Sequence, residues 1–211
     1  MKNLQTAMCL GLILAIFIGS FSGFAQKLEN LQHDVLRLHI LANSDSDYDQ
    51  ALKLKVRDRL LEESENLFQG CETLEDMKKR AAEQTDTIRM IAKSVLEENG
   101  CQEDVSVQLV QMKFDTRQYD ELTMPAGCYE ALRILIGKVE GHNWWCVMYP
   151  PLCLPVAEPE IYFDTDTAEI LENPQKYEVE LKCVEIWDDL KNKLSSDEVS
   201  ESETASQDHN T

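Results

Sequence analysis

The sequence predicts an α+β fold: a mixed or antiparallel sheet with two long helices packed on one face, in the order β-α-α-β-β-β and then β-α. Three observations point there. Short apolar or alternating runs recur at Val35 to Ala42, Val105 to Phe114 and Cys128 to Ile136, and again in the Trp-rich stretch after Gly141. Two long segments with helical apolar spacing, from Asp49 to about Leu67 and from Thr73 to Asn99, lie between the first strand and the rest. Strands that cluster instead of alternating with helices favour segregated layers.

The first strand, Val35 to Ala42, ends in Asn43-Ser44-Asp45-Ser46-Asp47, a run of capping side chains that predicts a helix start. The helix that follows places Leu52, Val56 and Leu60 four residues apart, so one stripe is buried while Lys53, Arg57, Asp58 and Glu62 are free to face water. Thr73-Leu74-Glu75-Asp76 resembles a capping box and opens the second helix. Its stripe of Leu74, Met77, Ala81, Gln84, Ile88, Ile91 and Val95 runs to a stop at Asn99-Gly100, a rod of roughly 40 Å if unbroken. Met124-Pro125-Ala126-Gly127 belongs to an irregular segment between two strands. A loosely ordered connector then leads to a last strand, Tyr177 to Val184, and a short helix to Leu194.

Ahead of this domain, Lys2 is followed by an uncharged stretch to Ala25 with an apolar heart from Ala7 to Phe17. It reads as a signal peptide or membrane anchor over residues 1–25. Residues 26–194 form the single expected domain. Residues 195–211, with five acids and no Lys or Arg, are the expected disordered tail. The formal charge of −19, from 39 acidic and 20 basic residues, argues against nucleic acid as a partner, because phosphate binding needs clustered cations.

Asp45-Ser46-Asp47-Tyr48-Asp49 has the alternation of a calcium loop, but Gln50, Lys53 and Val56 stand where a glycine, a ligand and a bidentate glutamate are needed, so helix capping is expected. Asp164-Thr165-Asp166-Thr167 lacks the glycine and the second copy of an aspartic protease site. With four histidines and neither His-x-x-His nor Cys-x-x-Cys spacing, no metal site or other cofactor is expected. His39, between apolar neighbours, reads as a hydrogen-bonded core residue. His142 and Cys146 lie about 13 Å apart along a strand, too far to act as a nucleophilic pair without a bend.

The densest feature is Gly141 to Cys153, which holds Trp144, Trp145, Cys146, Pro150, Pro151 and Cys153. Adjacent tryptophans in a strand point to opposite faces, so one enters a core and the other is left for a second layer or a partner. A partner-binding surface is expected at His142, Asn143, Trp144, Trp145, Pro150 and Pro151, since Trp anchors interfaces and a Pro-rigidified turn loses little entropy on docking. Cys146 and Cys153 are the best disulfide candidates, closed by the Pro-Pro turn, with Cys71, Cys101, Cys128 and Cys183 left as thiols or unassigned bridges.

Four blocks, Leu36 to Ser46, Asp49 to Asp58, Pro125 through Ile134 and Gly141 to Cys153, together resemble the stage II sporulation protein R family of endospore-forming bacteria. The resemblance covers roughly residues 30 to 155. It implies a protein without catalysis of its own, exported by the forespore into the intermembrane space. There it would activate the mother-cell membrane aspartic protease that processes pro-sigma-E. The rival expectation is an exported hydrolase or cell-wall enzyme using Cys146 and His142.

Overall fold

The computed structural model describes residues 2–119, 122–150, 163 and 165–187, with side chains described only in part along the first helix. The chain divides into two compact units. One comprises Asn30–Phe114 and Cys128–Asp164; the other comprises Met1–Glu29, Asp115–Gly127 and Thr165–Thr211.

The first of these units is built on a four-stranded sheet of β1 (Leu36–Leu41), β2 (Val105–Phe114), β5 (Gly127–Ile136) and β6 (Asn143–Tyr149), in the order β2-β5-β1-β6. β1 runs parallel to β5, pairing Leu36 with Glu130 through Leu41 with Leu135, and antiparallel to β6, pairing His39 with Trp145 and Leu41 with Asn143. The sheet is therefore mixed. Four helices follow β1 in sequence: α2 (Asp47–Glu62), α3 (Ser64–Leu67), α4 (Leu74–Glu83) and α5 (Thr85–Glu98). Leu52, Val56 and Leu60 of α2, with Met77, Ala81, Ile88, Ala92 and Val95 of α4 and α5, close a core with Leu36, Leu38, Ile40, Leu132, Ile134, Cys146 and Met148 of the sheet. Alternate residues of each strand thus face the helices, as the period of two requires.

Two expectations need correcting. The 40 Å rod is two helices, broken at Gln84, whose φ of −97° and ψ of 7° leave the helical region. Position 84 falls on the expected apolar stripe, and an amide there offers the core no apolar surface to hold a continuous helix. The expected strand Tyr177 to Val184 is helical from 178, after a 3-10 turn at Pro174–Tyr177. Proline at the start of that turn presets a helical φ, and Glu178 pairs with Lys182 one turn on at 2.7 Å, so helical spacing prevails over an apparent alternation.

In the other unit lie most of α1 (Lys2–His33), the hairpin of β3 (Arg117–Tyr119) with β4 (Leu122–Met124), and α6 (Thr165–Glu172). The hairpin occupies the segment read as irregular. Phe24 of α1 stacks on Tyr177 with centroids 5.7 Å apart. Among the described residues no helix is long and apolar enough to cross a membrane; the side chains of Ile13, Leu14 and Ile16 to Ile18 lie outside those described. The acidic tail and the Asp164 motif residue also lie outside the described residues.

Candidate functional site

The Trp-rich strand is held in place by a polar hub at the carboxyl end of β1. Ser46 caps α2 by accepting from the Asp49 backbone N–H at 3.2 Å, so the acidic cluster does the capping expected of it. Asp49 in turn accepts from the Ser44 hydroxyl at 2.5 Å and the Asn43 amide at 2.9 Å, and these donors hold its carboxyl below the usual range, the Ser44 hydroxyl most of all. Asn43 also fastens the turn ahead of β6. Its side-chain oxygen accepts from the Lys138 N–H at 2.9 Å and its carbonyl from the Glu140 N–H at 3.1 Å, while Ala42 takes the Gly141 N–H at 3.1 Å. This packing is close enough to demand glycine. A Cβ on Gly137, whose φ is +58°, would lie 2.3 Å from Asn43 Oδ1, and one on Gly141 would lie 2.3 Å from the Ser44 carbonyl oxygen.

At the entry to β6, Asp45 Oδ1 accepts both the backbone N–H and the Nδ1 of His142, each at 2.5 Å. The His142 contacts, side chain first, hold the Asp45 carboxyl below its ordinary value. This arrangement orients an imidazole that is 81% exposed and leaves Nε2 as the ring nitrogen available for contact. From beneath, the buried Lys53 donates to the His142 carbonyl at 2.8 Å and to Gln50 Oε1 at 2.6 Å; burial lowers its pKa, against the pull of Asp45. Lys53 was expected in water. Its stem packs in the core while its ammonium bridges α2 to β6.

The two tryptophans take opposite faces. Trp144 is half-buried against the helix-side core, with the Arg57 guanidinium 5.2 Å from its ring centroid. Trp145 is half-buried on the other face, stacked on His39 at 4.0 Å and 6°, and edge-on to Phe114 at 4.7 Å. On that face Arg37, fully buried, lies over the Phe114 and Tyr129 rings at 4.0 and 5.0 Å. His39 is buried as expected, yet by stacking: neither ring nitrogen has a hydrogen-bond partner of ordinary geometry. Burial brings its pKa down to about 4, helped by Arg133 and Arg37 and opposed by the Asn143 amide. The signal for this second layer was the alternation Leu36-Arg37-Leu38-His39-Ile40, which sets two basic residues on the face away from the helices.

Of the expected surface, His142 and Asn143 are exposed and the two tryptophans show partial rims, whereas Pro150 is buried behind a cis peptide bond with Tyr149. Cys146 is buried and disulfide-bonded. Pro151 and Cys153 lie outside the described residues. Cys71, Cys101, Cys128 and Cys183 are free, and of these only Cys101 is buried.

Residues 32–158, which contain β1, the hub and β6, match the family model described as Stage II sporulation protein R. The chain belongs to this family. It is also similar to the Stage II sporulation protein R of Bacillus subtilis (strain 168), 39% identical over 133 residues, which are 61% of this chain and 59% of that relative. No solved structure matches. The family places the protein in sporulation, and the matched region ends with the Trp-rich segment instead of reaching the C-terminal helices.

Proposed function

We propose that this protein is an exported sporulation signal that activates the mother-cell membrane aspartic protease, which then removes the pro-segment of sigma-E. Membership in the Stage II sporulation protein R family carries this reading, and the site supports it as a contact surface. His142 is oriented from two sides and exposed, Asn143 is exposed beside it, and the half-buried tryptophans flank them on both faces of β6. Such side chains lose little freedom on docking, because Asp45, Lys53, Arg57 and His39 already hold them or the backbone they stand on. Binding that favours the active arrangement of the protease shifts its population by the difference in affinity between the two states.

The rival enzyme reading needs a thiolate at Cys146, and the disulfide there removes it. Export, through the apolar segment of residues 7–25 as signal or anchor, is part of the same proposal. The test is processing of pro-sigma-E in a heterologous host that makes the protease, with and without this protein. Cleavage that depends on the protein is the expected result. Equal cleavage in its absence, with the protein folded and exported, overturns the reading.

A further inference from the structure

Residues 1–25 read from sequence either as a leader that is removed or as an anchor that stays. Gly23 and Ala25 put small side chains three and one positions ahead of Gln26, the spacing that a leader-removing peptidase reads. The fold sets that bond inside a helix. α1 runs unbroken from Lys2 to His33, and its turns beyond the bond are fixed in place, with Leu28 2% and Leu31 3% exposed. A peptidase takes its substrate extended, so the helix has to open by about a turn on either side before this bond is reached.

Residues ahead of the bond are packed as well. Phe24 stacks on Tyr177 with centroids 5.7 Å apart and planes at 19°, and Gly19, Gly23 and Phe24 share one cleft with Ile170 and Tyr177. Tyr177 closes the 3-10 turn, which Lys176 ties back to Glu169 of α6 at 3.0 Å. All of these residues belong to one compact unit, and removal of residues 1–25 would take most of its longest helix.

That unit also bares large apolar side chains. Leu4, Met8, Leu10 and Leu12 of α1 are 62–68% exposed, and Val179, Ile186 and Trp187 of the helix at 178–187 are 56–69% exposed. No charge stands between Lys2 and Lys27, in a chain whose formal charge is −19. A second copy with the same net charge is repelled, whereas a bilayer offers hydrocarbon to the leucines and a headgroup layer to the two lysines and to Trp187.

We propose that α1 stays in the mature protein, packed at Phe24 against Tyr177, and holds the protein on a lipid bilayer. This deepens the export part of the proposed function and rests on it: the signal works from a membrane surface and does not diffuse.

The test uses the full chain with its own N-terminus, made in a host that exports proteins and removes leaders. Intact mass, extraction of membranes with alkaline carbonate, hydrogen exchange over residues 165–187, and labelling of the exposed Cys128 in whole cells by a membrane-impermeant maleimide are read together. The expected result is the mass of all 211 residues in the carbonate-resistant fraction, with Cys128 labelled from outside. Phe24→Ala should speed exchange across 165–187 by about tenfold or more and raise the share of chains that begin at Gln26; Tyr177→Ala, far in sequence from the bond, should do the same. A wild-type chain that begins at Gln26, release by carbonate as a monomer or an oligomer, or exchange unmoved by either substitution would each overturn the proposal. A full-length, carbonate-resistant chain whose Cys128 is shielded from the reagent would leave the role of α1 standing and sink the export reading. A labelled chain that begins at Gln26 would do the reverse.

Discussion

His39 shows how one residue ties stability to pH. Its folded pKa of about 4 lies below the ordinary 6.5, so the unfolded chain takes a proton first as pH falls. The stabilisation is whole above pH 6.5 and is lost as pH drops toward 4; the loss between pH 7 and 5 is about 2 kcal/mol. Arg37 and Arg133 act in the same direction, and the Asn143 amide opposes them. Thermal melts of wild type and His39→Phe across that range check this: the difference between them should narrow on acidification, and a constant difference would contradict it. Lys53 makes a second prediction. Lys53→Met strands the His142 carbonyl and should cost roughly 1–3 kcal/mol, read by denaturant titration, with broadened His142 resonances. The burial of His39 was legible from its apolar neighbours, whereas its stacking and the reach of Lys53 were not. Lys53 sits beside a correctly read apolar stripe, and nothing in local spacing reveals that a carbonyl 89 residues later comes to meet it. The opposite facing of Trp144 and Trp145 was legible, because it follows from strand geometry alone.

At the scale of elements, the turn between β5 and β6 is specified by glycine. Gly137→Ala forces a side chain onto the Asn43 amide at a left-handed φ, and Gly141→Ala forces one onto the Ser44 carbonyl, where backbone must move. Both should lower the melting temperature by an amount equivalent to roughly 1–3 kcal/mol, and on the proposed function Gly141→Ala is the one that also weakens pro-sigma-E processing. The start of α4 gives a smaller effect. Thr73→Ala removes a complete capping box and should cost about 1 kcal/mol in a chemical melt, leaving processing intact. Strands β1, β2, β5 and β6 were readable because each alternates or is apolar throughout and is bounded by turn residues. The break at Gln84 was not, since the apolar period carries through it. The C-terminal strand was misread because alternation over eight residues also fits a helix whose Glu178 and Lys182 pair one turn apart.

For the whole molecule, the family and the region that carries it emerge from four separated sequence blocks that the fold brings into one unit: β1, the start of α2, β5 and β6. The parallel pairing of β1 with β5, distant in sequence, sets these blocks side by side. What the sequence did not supply was the polar hub, made by contacts between segments far apart. On the proposed function, β6 opens onto a partner. A photo-crosslinking amino acid at exposed Asn143, compared with one at Met90 on the exposed face of α5, tests this in cells that make the protease. Capture of the protease from position 143 and not from position 90 is the expected result; capture from position 90 alone, or from neither in a folded and exported protein, would contradict it.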